Sequence, residues 1–598
     1  MSKIWKILLP YWWQLLLLLG GLVLQVNSNL RLPEIMARII DQGITRQNMD
    51  IVWSSGAEML IIVVIGAAGM ITASFFAARI SSNFSAKLRD QIYKHVLNFT
   101  IVEIDQFSTA SLLTRSTNDI NQLQSALSTT LRIALQSPIM AIGAISMAIN
   151  TAPSMAWIIA LIVAVLIIIA VIVISLVVPK FKIIQTLNDK LNLVARENLT
   201  GLRVVRAFNN EKYEEDKFSD INGRLTRTHI STGRIIAIMN PLVQFTISGA
   251  ALLIVWVGSH LVKDTIIGLG EIVAFMQYAT QVMISFMFIA IAFVILPRAI
   301  VSIKRINEVL STKPSVRFKN DGRDVTPPRH PAAPSEGRSQ DPVNSTEGAS
   351  DIPAVEFREV SFAYRDADQP VLKKLNFTVE KGQTTAIIGS TGSGKSTLIN
   401  LISRAHDATA GEILIDGINI KEFPKQTLMS KIGLVPQKAT LFSGTIKSNL
   451  IFGRKNASMK DIIAATQISH AYNFIMKQEN DFAHHVAQGG KNFSGGQKQR
   501  LCIARAIIKN PEIYIFDDSF SALDYKTDLA VRQNLSAITK NTAVIIVAQR
   551  ISTIKHADKI LVLDNGKIVG TGTHDELIKT CTIYKEIATS QLSTKELS

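Results

Sequence analysis

Apolar residues form six long runs through the first half of the chain, near residues 11–36, 52–80, 131–152, 155–178, 235–262 and 271–297. Each reaches the roughly 20 residues that a helix needs to cross about 30 Å of hydrocarbon. The run from Met155 to Val178 carries no charge and is longer than a buried soluble helix requires. Lys3 and Lys6 precede the first run as in a signal peptide, but no small-residue cleavage site follows and apolarity continues through Leu30. The pattern predicts an α-helical membrane domain of six spans, with the first span retained.

The connections are unequal. Spans three and four are joined by a turn at Asn150, Thr151, Ala152 and Pro153, whereas about 50 residues separate spans two and three, and again spans four and five. The second long segment carries Lys180, Lys182, Lys190, Arg196, Arg203, Arg206, Lys212, Lys217, Arg224, Arg227 and Arg234. By the positive-inside rule both long segments and both ends of this half face the cytoplasm. A helix from about 52 to 98 would be about 70 Å long, so it must project far beyond the bilayer. Short polar elements are expected around Asp105–Thr114 and Asn210–Phe218. In the latter, Phe208, Tyr213 and Phe218 alternate with Glu211, Glu214, Glu215 and Asp216, a surface suited to docking on another domain.

From about Lys313 to Pro353 the composition turns to Pro, Ser, Gly, Asp and Arg, including Pro327, Pro328, Pro331, Pro334 and Pro342, and reads as a linker. The expected organisation is a membrane domain over 1–312, a linker over 313–353 and a further α/β domain over 354–598. Composition agrees: of 598 residues 47% are apolar and 18% charged, which disfavours a wholly soluble or disordered chain. The 63 Lys and Arg exceed the 47 Asp and Glu by 16, but the long cytoplasmic segments account for much of that excess without nucleic acid. Cys502 and Cys581 are too few for a disulfide scaffold or a cysteine-built zinc site and read as reduced thiols.

Chemistry enters at Ala386, Ile387, Ile388 followed by Gly389, Ser390, Thr391, Gly392, Ser393, Gly394, Lys395, Ser396 and Thr397. This is a strand, a glycine loop and a helix start matching the P-loop pattern. Its backbone N–H groups wrap phosphates, Lys395 counters the β and γ charge, and the Ser396 hydroxyl can ligate magnesium. A second apolar strand, Ile513 to Phe516, ends in Asp517, placed to hold magnesium through its hydration shell.

A P-loop alone admits helicases, GTPases and kinases. Phe493, Ser494, Gly495, Gly496 and Gln497, lying between the P-loop and Asp517, resemble the signature of ATP-binding cassette (ABC) proteins, with Phe493 where the consensus has Leu. Ser494 and the two glycines would offer a hydroxyl, backbone donors and a helix N-terminus to a γ-phosphate. The resemblance extends to Tyr364 as the adenine-stacking aromatic, to Gln437 as the Q-loop glutamine and metal ligand, and to Ser521, Ala522, Leu523 and Asp524 as the D-loop. Gly201 to Phe208 are similar to the cytoplasmic loop of the family's exporters. The resemblance covers essentially the whole chain, one half-size exporter, and implies ATP and Mg2+ as cofactors. It also implies a second half-transporter as partner, because each chain supplies half of each ATP site.

Two catalytic positions depart from the family. Asp518 stands where Glu normally polarises the attacking water, which shortens the reach by about 1.5 Å when the base must lie about 2.6 to 3.2 Å from that water. Gln549, between Ala548 and Arg550, replaces the switch histidine and has no ionisable imidazole. Val486, Ala487, Gln488, Gly489 and Gly490 replace a stretch that normally carries Glu. With P-loop and signature kept, this is the pattern of the degenerate-site subunit of bacterial heterodimeric multidrug exporters.

In the membrane, Asn27, Asn29, Arg31, Glu34, Gln244, Gln277, Gln281 and Arg298 are costly against lipid and should face a cavity or another helix. Span six adds Phe275, Met276, Met283, Phe286, Met287 and Phe288, soft groups suited either to varied cargo or to ordinary packing. Pro138 and Pro241 are candidate kink sites. The expectation is ATP-driven export of amphipathic compounds from a bacterial inner membrane, with Asn27, Arg31, Gln244, Gln277, Gln281 and Met283 as cavity candidates. Lipid export and a non-transporting ATP sensor remain open.

Overall fold

A computed structural model describes residues 7–318, 352–365 and 367–591. Lys3, Lys6 and the linker prolines Pro327 to Pro342 lie outside the described residues. The chain divides into two compact units, residues up to Asn98 with Phe107–Lys313, and Phe99–Gln106 with residues from Pro314 onward.

The first unit is all helix. Its described residues include six helices long and apolar enough to cross a membrane. The main elements up to residue 311 are α1 (Trp12–Arg38), α2 (Met49–Val96), α3 (Ile101–Phe107), α4 (Thr109–Ser116), α5 (Asn118–Thr129), α6 (Leu135–Thr151), α7 (Ala156–Ala207), α8 (Glu211–Lys263) and α9 (Leu269–Ser311), of which α3, apart from Phe107, falls in the second unit. Helix α2 is 48 residues long, about 70 Å at 1.5 Å per residue, as its apolar and polar stretches together require. The Asn48 side chain caps it by accepting from the N–H groups of Asp50 and Ile51. The first polar loop folds as α3 and α4, but Asn210–Phe218 forms no separate element. Its residues from Glu211 are the opening turns of α8, where Glu211 and Glu214 favour a helix N-terminus.

Helices α1 and α2 touch backbone to backbone. A Cβ on Gly21 would lie 2.7 Å from the Gly69 carbonyl oxygen, and one on Gly69 equally near the Gly21 oxygen, so only glycine fits at either position. Helix α1 holds Pro33, whose missing N–H leaves the Asn29 carbonyl without its intrahelical donor. Gln281 of α9 supplies one, its Nε2 donating to Asn29 O at 3.1 Å, while the Tyr278 hydroxyl donates to Leu30 O at 2.9 Å. A π-helical turn, Ile39–Ile44, follows α1, and Asp41 within it accepts from Gly270 N at 2.7 Å in the first turn of α9. Pro138 lies inside α6, just after a π turn at Thr130–Ala134 of the kind that accommodates such interruptions, and Pro241 lies within α8.

The second unit is α/β. Its strands are β1 (Val355–Phe362), β2 (Leu372–Val379), β3 (Thr384–Ile388), β4 (Ala410–Ile415), β5 (Ile418–Asn419), β6 (Ile432–Val435), β7 (Gly444–Thr445), β8 (His485–Val486), β9 (Ile513–Asp517), β10 (Ala543–Val547), β11 (Lys559–Asp564) and β12 (Lys567–Gly572). The order β12-β11-β3-β10-β9-β6 makes a six-stranded sheet, parallel except for β12. Strand β10 is apolar and buried throughout, and β9 is buried up to Asp517, as central strands covered on both faces require. An antiparallel sheet in the order β2-β1-β4-β5 packs beside it, and β7 pairs with β8. The site helices are α10 (Lys395–Ile402), α11 (Gly495–Lys509), α12 (Tyr525–Ile538), α13 (Ile551–Ile554) and α14 (Thr582–Gln591).

The expected linker is corrected at its beginning, since residues 314–318 belong to this unit. The buried Arg404 guanidinium donates to Arg317 O at 2.9 Å and lies 4.5 Å over the Phe318 ring, because a buried cation needs acceptors and a π face. The segment Phe99–Gln106 packs here too. Its Glu103, only 3% exposed, accepts from Thr100 N and Oγ1 and from Ser315 N.

Candidate functional site

The glycine loop leaves the C-terminal end of β3, in the middle of the parallel sheet, and opens α10. Gly394 has φ 104° and Gly392 φ 84°, left-handed conformations that glycine adopts without a Cβ clash. A Cβ on Gly389 would lie 2.0 Å from Leu563 O, so that position tolerates no side chain. Ser393 is buried and its N–H donates to Ser390 O, closing the loop on itself, while Thr391 and Ser396 are exposed. Lys395 folds over the loop and donates to Gly389 O at 2.8 Å and Ser390 O at 2.7 Å. Burial holds its ammonium below the usual lysine range, against the opposing charges of Asp518 and Asp517.

Asp517 ends β9 beside these groups. Burial pushes its carboxyl up, and the neighbouring Asp518 adds to the shift while Lys395 opposes it. A half-buried carboxylate of that kind is relieved by a cation, and Asp517, the Ser396 hydroxyl and the free Oε1 of Gln437 are the hard oxygen donors that Mg2+ takes. The expected ligand types therefore fit the metal.

Asp518 adopts φ 46°, a left-handed conformation uncommon for a residue with a side chain. Its Oδ2 accepts from Gln437 Nε2 at 3.3 Å and from Gln549 Nε2 at 3.1 Å. The Q-loop glutamine and the switch residue thus converge on one carboxylate oxygen. Ser519 Oγ donates to Val435 O at 2.9 Å, tying this turn to the end of β6 that precedes Gln437.

Tyr364 is 40% exposed, with its hydroxyl bonded to Thr397 Oγ1 at 2.9 Å. His406 meets the Tyr364 ring edge-on at 5.5 Å. Burial lowers the His406 imidazole pKa, opposed by the charges of Asp105 and Glu103.

Ser494 caps α11, accepting from Gln497 N at 3.3 Å, while Gln497 Oε1 accepts from Ser494 N at 2.9 Å. Gly495 is exposed, and a Cβ there would meet nothing within 4 Å. A Cβ on Gly496 would lie 3.1 Å from Ala522 O, so the signature helix seats against the D-loop. Asp524 caps α12 by accepting from Thr527 N at 2.9 Å. The Phe493 side chain is 6% exposed in the apolar core, edge-on to Phe474, and anchors the start of the signature.

Among the cavity candidates, Asn27, Arg31 and Gln244 are exposed and Gln277 is half-buried. Gln281 donates its Nε2 to the Asn29 carbonyl, while its buried Oε1 has no partner among the described residues. Met283 is 3% exposed and packs between helices in the core with Phe275 and Tyr278. Sequence reading missed the Thr397 partner of Tyr364, the His406 neighbour and the two bonds from Gln591 to the switch loop, Nε2 to Gln549 O at 2.8 Å and Oε1 from Ile551 N at 2.9 Å. All are long-range pairings without a local sequence signal.

A helical membrane unit and a P-loop unit with a Ser-Gly-Gly-Gln helix start define a membrane transporter of the cassette class. Residues 15–286 match the ABC transporter transmembrane region and residues 372–521 the ABC transporter domain. The chain is 38% identical over 567 residues to an uncharacterized ABC transporter ATP-binding protein of Mycobacterium tuberculosis, covering 94% of this chain and 93% of that one. It is 33% identical over 597 residues to another from Bacillus subtilis, covering 99% and 98%. The chain belongs to the ABC transporter family and is a multi-pass membrane protein. Its fold matches a bacterial Atm1-family ABC exporter solved with ATP bound, with a TM-score of 0.76 at 22% identity over 98% of this chain and 99% of that one.

Proposed function

We propose that the chain is one half of a heterodimeric ABC exporter of amphipathic compounds in a bacterial cell membrane. On this reading it holds ATP at its own hydrolysis-impaired site and lends its signature to the competent site of a second half-transporter. The observation that carries the reading is the double acceptance by Asp518 Oδ2 of the Gln437 and Gln549 amides. The side chain is one methylene short of the usual base, and two donors compete with any water for that oxygen. Gln549 can donate to a γ-phosphate but cannot cycle a proton.

Binding is the capacity that remains. Tyr364 presents its ring to adenine, the loop from Gly389 to Thr397 wraps the phosphates and Lys395 exchanges its carbonyl partners for them. Mg2+ held by Ser396, Gln437 and Asp517 would neutralise phosphate charge. Ser494, Gly495, Gly496 and Gln497 present a helix N-terminus, capped by Ser494, to the partner-held γ-phosphate, with Asp524 beside the same interface. At the tip between α7 and α8, Phe208 is 79% and Tyr213 62% exposed, apolar area suited to docking on the partner's nucleotide-binding unit. Bacterial relatives support the cell-membrane assignment.

The test is ATPase activity of the full-length chain alone and co-purified with a half-transporter bearing Glu and His at the two altered positions, followed by uptake of a fluorescent amphiphile into inverted vesicles. The reading requires slow hydrolysis alone and ATP-dependent uptake by the pair. Fast Mg2+-dependent hydrolysis by a verified homodimer refutes it.

A further inference from the structure

The last described helix of the chain ends on the switch loop. The side-chain amide of Gln591 is used at both atoms: Nε2 donates to Gln549 O at 2.8 Å, and Oε1 accepts from Ile551 N at 2.9 Å. The two peptide groups flanking Arg550 are therefore gripped by one planar amide. The grip answers a local deficit, because Arg550 is the N-cap of α13 and its side chain makes no cap hydrogen bond. The first free N–H of that helix takes its acceptor from α14 instead.

Helix α14 is a packed element. Tyr584 and Ala588 on it are 0% exposed, Ile551 and Ile554 of α13 lie in the same core, and the Tyr584 hydroxyl bonds His574 Nδ1 at 2.8 Å. A rigid support thus reaches the backbone of the residue whose side chain bonds Asp518 at 3.1 Å. Fixing the Gln549 carbonyl and the next-but-one N–H fixes the peptide planes from which the Gln549 side chain departs.

We propose that Gln591 is a positioning residue for the nucleotide site: it holds the switch-loop backbone so that the Gln549 amide faces the γ-phosphate position beside Asp518. This rests on the reading above in which Gln549 contacts ATP bound over Lys395. A group that only positions a γ-phosphate ligand affects ATP and leaves ADP alone, which separates it from general support of the fold.

The test is equilibrium binding of radiolabelled MgATP and MgADP to the full-length chain in lipid nanodiscs. Gln591→Ala is expected to lower the preference for ATP over ADP about three- to tenfold, the scale of one hydrogen bond, with ADP affinity unchanged. Gln549→Ala should do the same, and the double variant should lose no more than either alone. Gln591→Glu keeps the acceptor for Ile551 but sets an oxygen against Gln549 O, and should shift the preference in the same direction even if the alanine variant folds poorly. If Gln549→Ala loses the preference and both Gln591 variants keep it, the positioning role is wrong while the site reading stands. If Gln549→Ala keeps the preference, the site reading fails and the positioning role fails with it. Equal loss of ATP and ADP binding in the Gln591 variants, or full additivity in the double variant, also overturns the proposal.

Discussion

The phenol of Tyr364 and the hydroxyl of Thr397 are joined at 2.9 Å, so the aromatic proposed to stack on adenine and the helix that follows the glycine loop are tied together within the chain. Tyr364→Phe keeps the ring and loses the tie. We expect it to weaken ATP binding at most about fivefold, whereas Tyr364→Ala removes the stacking face and should cost about tenfold or more. Nucleotide titrations of the full chain compare the two, and equal losses would show that the hydroxyl matters more than the ring.

Restoring the missing methylene should restore chemistry. Asp518→Glu is expected to raise hydrolysis at this chain's own site about 10- to 100-fold, and Asp518→Glu with Gln549→His further still. Turnover by the full-length chain with and without Mg2+ measures this. No gain in either variant would place the defect elsewhere than in these two residues.

The proposed division of labour between sites is tested in the co-purified pair. Ser494→Ala, or Gly495→Asp into the open space at the helix start, should nearly abolish turnover, while Lys395→Ala should reduce it only partly. The reverse ranking would make this chain's own site the competent one.

Glu103 gives a pH prediction. Burial alone would raise its carboxyl pKa, but hydrogen bonds from Thr100 and Ser315 outweigh that and hold it below the usual value. A carboxyl depressed in the folded state stabilises fully above its unfolded pKa of about 4.3 and loses that contribution as pH falls through the lower folded value. Amide protection in Phe99–Gln106, corrected for the intrinsic pH dependence of exchange, should therefore fall below about pH 4 in the parent chain, ahead of the rest of the unit. Glu103→Gln should exchange faster already at neutral pH and lack this acid step. Identical profiles for the two chains would show that the carboxylate contributes nothing.

The Asn29 carbonyl and the Gln281 amide form a pair testable by a double-mutant cycle. Gln281→Ala should destabilise the membrane unit by about 0.5 to 1 kcal/mol in the parent chain and less in a Pro33→Ala background, where the helix supplies its own donor. Thermal unfolding in one detergent reads all four variants, and equal costs in both backgrounds would remove the link to proline.

Much of this architecture was legible because its signals are periodic or local. Six apolar runs cannot be soluble helices of their length, and the order from Gly389 to Thr397 encodes a phosphate loop in backbone freedom alone. The Ser494 cap was readable from the side chain and the glycines after it. What escaped depends on burial and distant pairing. Phe493 sits in a motif yet points into the core, Met283 packs between helices, and residues 314–318 lie in a polar stretch but are captured by Arg404. The element expected at Asn210–Phe218 merged into α8 because its acidic residues make a good helix start.

The paired carbonyls beside Pro33 also constrain motion. Asn29 O and Leu30 O are satisfied by side chains of α9, and Asp41 closes the far end of the same pair by binding Gly270 N. Sliding one helix along the other would break all three hydrogen bonds at once. Any change of access across the bilayer must then carry α1 and α9 as a single strut, with the flexing left to helices that lack such rivets.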